Sequence, residues 1–232
     1  MKLGIFTDSH YSSVEVNGKR YNRQSLRKIR QAYEYFQTQN CDLVICLGDL
    51  IDTEPDHAQE IENLKEVAAI IQSSPLRTFV VMGNHDAFRF EQEEYYNIVG
   101  PDCKPQNLCI GQNHLCFLDA CYFKNGVHYG PGDEDWTDTF YPHAENLRRY
   151  LSTQKEDTYL FIHQSIDPAI RQDHRLFNGD ELFDIIEKSG TVRAVYQGHY
   201  HPGKESVYNG IPYITFPAMC ENEDAYYIVE TP

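Results

Sequence analysis

Positive charge is scarce in this chain. Against 35 Asp and Glu stand only 20 Lys and Arg, a net charge of −15 over 232 residues. A phosphate polymer needs a basic surface, so no nucleic-acid partner is expected. A small phosphoester is a different case, because a locally held dication reverses the field around it. Cysteine pairs at metal-binding spacing are also missing. The seven Cys are an odd number with no CxxC among them, which argues against a disulfide framework or a thiolate zinc site and for reduced cytosolic thiols. Cys41, Cys46, Cys116 and Cys121 lie in or beside apolar runs and read as small core residues. No apolar stretch approaches membrane-spanning length, and the amino-terminal run ending at Phe6 is too short for a signal peptide. Repeats, low-complexity tracts and linker composition are absent as well. The expectation is a soluble, cytoplasmic protein with no membrane partner.

What is present fits one globular α/β domain over residues 1–232. Hydrophobic residues make up 41% and aromatics 13%, enough for a substantial core. Residues 2–6, 42–47 and 77–82 read as apolar strands. Between them Leu26, Ile29, Tyr33 and Phe36, then Ile61, Leu64, Val67, Ala68 and Ile71, recur at helical spacing. A loop over 11–22 carries Asn17-Gly18 as a turn signal. Further on, 91–96 reads as a short helix, 108–110 and 115–118 as a hairpin, 143–151 and 181–186 as helices, and 159–162 and 192–196 as strands. Residues 206–208, 211–216 and 225–229 read as closing antiparallel strands. Residues 124–140 lack any clean period and read as a long loop, with Phe123 or Trp136 available either to stack on a base or to fill a satellite core.

Five of the strand ends carry the same kind of cargo: Asp8 and His10; Asp49; Asn84 with His85; His163; His199 with His201. A lone Asp or His after a strand is usually a cap or a solvated loop residue. Five in succession, each directly behind an apolar strand, point to a metal site, because strand ends are where open α/β sheets build sites. Residues two apart share a side if the backbone stays extended, which would pair Asp8 with His10 and His199 with His201. Asp, His and Asn suit a borderline divalent ion such as Mn, Fe or Zn.

The order Asp8-Ser9-His10, Gly48-Asp49-Leu50-Ile51-Asp52, Gly83-Asn84-His85-Asp86, His163 and Gly198-His199-Tyr200-His201 resembles the signature of the calcineurin-like metallophosphoesterase superfamily. The resemblance spans Asp8 to His201 and implies a sandwich of two mixed β-sheets flanked by helices. It also implies two divalent cations. Asp8, His10 and His201 would hold the first, Asn84, His163 and His199 the second, and Asp49 would bridge them. A metal-bridging hydroxide would attack phosphorus. His85 would donate a proton to the leaving oxygen, oriented by Asp52, since a paired carboxylate favours the protonated imidazole. Asp86 is a rival orienter by adjacency.

The motif pattern is similar to the branch with cyclic-nucleotide phosphodiesterases and nucleotide pyrophosphohydrolases. Phosphodiester cleavage of a small nucleotide-type substrate is therefore the expected activity. A phosphomonoesterase or a protein phosphatase is the alternative, and a non-catalytic scaffold of the same fold is the competing class. Tyr11, Arg89, Gln164 and Tyr200 adjoin the motifs and are candidates for substrate contact or for plain packing.

Overall fold

In the computed structural model, residues 1–133 and 140–231 are described. Trp136 lies outside them. Three apolar runs become β1 (Lys2–Phe6), β2 (Leu43–Cys46) and β3 (Thr78–Val80). They pair in parallel, joined by α1 (Ser25–Thr38) and α2 (His57–Ser73). Asp56 starts α2 by accepting the Ala58 N–H at 3.0 Å. After α3 (Asn84–Arg89) and α4 (Gln92–Val99) the chain enters a second sheet. Its strands are β4 (Leu108–Ile110), β5 (Asn113–Leu118), β6 (Asp157–Ile162), β7 (Val192–Gln197), β8 (Lys204–Tyr208) and β9 (Ile211–Thr215). Helices α5 (Ala144–Thr153) and α6 (Gly179–Ser189) serve this sheet. The last strand, β10 (Tyr226–Glu230), returns to the first.

The first sheet has the order β10-β1-β2-β3 and the second β4-β5-β6-β7-β9-β8. Both are mixed: β10 is antiparallel to β1, and β4 and β8 are antiparallel edges of an otherwise parallel sheet. The closing strands form the expected antiparallel hairpin between β8 and β9, but the three do not make one antiparallel group. β9 runs parallel to β7, and β10 completes the other sheet. Hydrophobic pattern identifies a strand but does not name its partner sheet.

Side-chain alternation along each strand divides the core into three layers. Leu3, Ile5, Leu43, Ile45 and Phe79 meet Leu115, Tyr159, Phe161, Tyr196 and Phe216 between the sheets. Rings stack side by side along the second sheet, from Phe117 to Phe161 at 5.1 Å and from Phe161 to Tyr196 at 5.3 Å. On the outer face of the first sheet, Ile29, Tyr33, Phe36, Leu64 and Val67 bury the apolar faces of α1 and α2. On the outer face of the second, Leu147, Leu151, Leu182 and Ile186 do the same for α5 and α6. Phe123 packs, partly buried, against the outer layer of the first sheet with its ring 5.6 Å from Tyr129, as the core-filling alternative has it. The described part of the 124–140 loop is tied back by a bridge between Tyr122 and His128.

Candidate metal centre

The registers bring the strand ends level. Phe6 pairs with Cys46 and Cys46 with Val80, while Ile162 pairs with Gln197 in the other sheet. Asp8, Asp49 and Asn84 therefore leave one sheet, and His163, His199 and His201 the other, at the same end of the sandwich. Backbone bonds fasten these loops together: Asp8 N–H donates to Gly48 O and His10 N–H to Asp49 O, each at 3.0 Å, and Gly198 N–H donates to His163 O at 2.9 Å. Two glycines permit this crowding. A Cβ on Gly83 would lie 2.2 Å from Asp49 Oδ1, and one on Gly198 would lie 2.1 Å from Thr7 Oγ1.

The backbone here is not extended, so the condition for pairing Asp8 with His10 by strand alternation is not met. Asp8, His10, Asp49 and His199 have φ of 52°, 42°, 53° and 65°. Left-handed backbone is costly for residues with a Cβ, and four instances in one site mark a conformation imposed by its surroundings. It is these turns, rather than strand alternation, that swing the side chains together.

Two groups of ligand atoms result. In the first, His10 Nε2 lies 3.7 Å from Asp8 Oδ1, 3.5 Å from Asp49 Oδ2 and 3.2 Å from His201 Nε2, and His201 Nε2 lies 3.5 Å from Asp8 Oδ1. In the second, His163 Nε2 lies 3.2 Å from both Asp49 Oδ2 and Asn84 Oδ1, and His199 joins Asp49 and His163 within 4.8 Å. Asp49 Oδ2 is common to both groups, while its Oδ1 accepts the His85 N–H at 2.8 Å.

The chemistry of this donor set suits divalent cations. Two imidazole nitrogens facing each other at 3.2 Å with carboxylate oxygens around them share a point where positive charge is wanted. Asp8 uses Oδ2 to accept from Thr7 Oγ1 and His199 N–H, at 2.6 and 3.0 Å, whereas its Oδ1 is buried and has no hydrogen-bond donor among the described residues. A buried anionic oxygen left so is expensive, and a cation is the partner its surroundings suit. The outward nitrogens are fixed too: His163 Nδ1 lies 2.6 Å from Leu47 O and His201 Nδ1 lies 2.7 Å from Glu221 Oε1. These contacts leave each Nε2 to face inward.

Electrostatics agree with the geometry. Burial alone would raise Asp8 and Asp49, but the surrounding histidines overcome it and hold both well below the ordinary carboxylate range. Burial drives His10 down to about 4 and His199 to about 3, so both present bare nitrogens at neutral pH. For His163 and His201 burial is outweighed, by Asp49 in the first case and by Asp8 in the second, and they rise to about 9 and about 11. The carboxylates thus favour positive charge on both rings.

His85 sits at the rim. Its Nδ1 is 3.1 Å from Asp52 Oδ1, and its ring meets His10 edge-on with centroids 4.6 Å apart. Burial lowers its pKa, but Asp49 and Asp52 prevail and the net shift is upward. Asp86 is placed elsewhere. Its carboxylate is buried and accepts the N–H groups of Asp49, Leu50 and Gly83 at 2.9, 3.0 and 3.0 Å. It pins the turn after β2 to the start of α3 and does not touch the His85 ring through any of these bonds.

The four flanking candidates are mostly engaged by the protein. Tyr11 OH donates to Glu66, and Arg89 pairs with buried Glu60 at 2.6 Å. Gln164 is buried and donates to Cys121 Sγ at 3.9 Å. Tyr200 has the His174 ring 5.3 Å away. Glu221, Arg20 and Asn22 were not foreseen. Glu221 stands far from the motifs in sequence, and no local pattern marks it. Arg20 lies on the 11–22 loop with no motif to mark it, and it reaches Asp52 at 3.0 Å.

Residues 1–203 match the calcineurin-like phosphoesterase family. The chain is 26% identical over 223 residues to the 3',5'-cyclic adenosine monophosphate phosphodiesterase CpdA of Haemophilus influenzae, covering 93% of this chain and 73% of that protein. Its identity to the enzyme of the same name from Escherichia coli K12 is 24% over 224 residues, with the same coverage. In fold it is similar to a dimetal phosphatase from Danio rerio, with a TM-score of 0.83, 17% identity, and coverage of 98% of this chain and 91% of that one. The chain belongs to the calcineurin-like phosphoesterase family.

Proposed function

From that membership, we propose that the protein is a two-metal phosphodiesterase for small nucleotide-type diesters. The observation that carries the reading is Asp49 Oδ2, set 3.5 Å from His10 Nε2 and 3.2 Å from His163 Nε2, so that one carboxylate oxygen serves two adjacent groups of ligands. Asp8, His10, Asp49 and His201 would hold one cation, and Asp49, Asn84, His163 and His199 the other. When bound, such cations would supply Lewis acidity to the phosphate and lower the pKa of a bound water.

The chain's own residues do the rest. His85 is the proton donor. With Nδ1 on Asp52, its Nε2 is the edge left to face a leaving oxygen, and the Asp52 carboxylate favours the protonated ring. Asp86 acts as a backbone clamp and not as an orienter, because its oxygens are taken by main-chain donors. The similarity to cyclic-AMP phosphodiesterases supports a diester over a monoester. Among the described residues no helix is long and apolar enough to cross a membrane, and the seven cysteines are all free, which favours a cytoplasmic setting.

The test is metal analysis together with hydrolysis, in Mn, of bis-p-nitrophenyl phosphate and a panel of cyclic nucleotides, nucleoside-diphosphate derivatives and phosphomonoesters. Metal uptake with diesters preferred is expected. Absence of both metal and hydrolysis would return the chain to the scaffold class, and preference for monoesters would remove the diester assignment.

A further inference from the structure

We propose that Arg20, on the loop between β1 and α1, is a positioning residue for the proton donor, holding Asp52 in the one rotamer that serves His85. This rests on the reading of His85 as the donor. Asp52 is buried and receives more donors than its imidazole partner alone. Its Oδ1 accepts from His85 at 3.1 Å, from Thr53 N–H at 2.9 Å and from Arg20 Nη1 at 3.2 Å. Its Oδ2 accepts from Arg20 Nη1 at 3.0 Å, from Asn22 Nδ2 at 2.8 Å and, at the long limit of 3.5 Å, from Asn17 Nδ2. Arg20 thus spans both oxygens and sets the rotation of the carboxylate about its last bond. Thr53 and Asn22 each touch only one.

The loop is shaped for this. Asn17 and Arg20 exchange backbone bonds at 2.9 and 3.0 Å across a turn through Gly18. The base of the turn is anchored by Tyr21 N–H on Cys220 O at 2.9 Å and by buried Asn22, which also donates to His10 O at 2.7 Å. Arg20 therefore stands on a fixed stem while its neighbours Val14, Val16 and Tyr21 are exposed. Its guanidinium is partly open to solvent, so removing it leaves no large buried hole, and the change falls on the geometry of the Asp52–His85 pair. A displaced orienter slows the step that needs the proton most, the departure of a poor leaving group.

The experiment compares wild type with Arg20→Ala and Arg20→Lys on two diesters, one with a nitrophenol leaving group and one with an alcohol leaving group. Expected for Arg20→Ala is a kcat about tenfold lower on the alcohol ester. KM and metal content are expected to stay unchanged, with nitrophenyl ester turnover within about twofold of wild type. Arg20→Lys, which keeps a donor and its charge, should recover part of the loss. Equal losses on both esters, a KM rise at constant kcat (direct substrate contact), lost metal or no change would each overturn the proposal. If Arg20→Ala does not fold, Arg20→Gln carries the same comparison. A second readout needs no turnover: in the zinc-loaded protein, the imidazole Nδ1–H resonance of His85, assigned by its loss in His85→Gln, should be sharp in wild type and Arg20→Lys and broadened in Arg20→Ala. An unaltered resonance in Arg20→Ala counts against the proposal. If wild type cleaves neither ester, the hydrolase reading falls, and the resonance still decides the positioning role.

Discussion

Two parts of this site set imidazole against carboxylate in different ways. In the buried cluster, Asp8, His10, Asp49 and His163 are sealed from solvent, and His10 Nε2 faces three partners at 3.2 to 3.7 Å with no single good acceptor. At the rim, His85 Nδ1 has one partner, Asp52 Oδ1, at 3.1 Å, and its side chain keeps 23% of its exposure. Several half-satisfied donors and acceptors around one point are what a cation site requires. A single satisfied pair with one edge open is what a proton donor requires. The number of partners and the direction of the free edge tell these uses apart, whereas residue type does not.

The sharpest way to break the comparison is Asp49→Asn. If one carboxylate oxygen serves both ligand groups, an amide there weakens both at once, and turnover should fall to background together with metal content, read by elemental analysis and by assay. A variant that kept its metal and its rate would dissolve the distinction. Next comes His85→Ala. The rim should be separable from the cluster, so metal content should persist while kcat on poor leaving groups drops by about 10²- to 10⁴-fold. Loss of metal in this variant would mean that the rim is part of the cluster after all.

The comparison also explains what could be read from the chain beforehand. The three parallel strands β1, β2 and β3, their connecting helices and the polar residues behind each strand were legible, because apolar runs and helical spacing are local signals. The left-handed backbone at Asp8, His10, Asp49 and His199 was not, since those φ values are imposed by cross-loop bonds such as Asp8 N–H to Gly48 O. Helix α3 was hidden because six residues hold too few turns to display a period. The work of Asp86 was hidden for a related reason: its partners are backbone N–H groups, which carry no sequence signature. β10 passing to the first sheet, and Glu221 meeting His201, are tertiary facts settled by packing.

Acidity gives a third, graded test of the buried half. In the metal-free protein His163 keeps its proton up to about pH 9 and His201 up to about 11, both raised from 6.5. A cation can use their Nε2 atoms only after those protons leave. Raising the pH from about 6.5 towards 9 should therefore strengthen metal uptake, by about tenfold per pH unit for each proton displaced, with the His163 contribution levelling off above about 9. The stability sign runs the other way. A raised folded-state pKa stabilises the metal-free protein fully below 6.5, and that contribution from His163 is lost as pH climbs through about 9. Titration calorimetry in two buffers of different ionisation enthalpy measures the protons released. Uptake with no proton release near pH 7.5 would show that the rings were already bare and that the cluster was not holding protons in place of metal.

The smallest expected effect probes the edge between the two regions. Glu221 accepts from His201 Nδ1 at 2.7 Å and is partly exposed, so it belongs to neither the sealed cluster nor the donor pair. Its carboxylate fixes the ring so that Nε2 faces Asp8 and His10, and it makes that nitrogen a stronger donor to a cation. Glu221→Gln keeps the size and one possible hydrogen-bond acceptor but removes the charge. Metal affinity should weaken by about 10- to 100-fold. With metal in excess, kcat and the preference between good and poor leaving groups should stay as in wild type, because the His85–Asp52 pair is untouched. Competition against a chelator of known affinity reads the first quantity, and the two-ester assay reads the second. A change in leaving-group preference would place Glu221 with the rim, and an unchanged affinity would leave the His201 contact with no part in holding the cation.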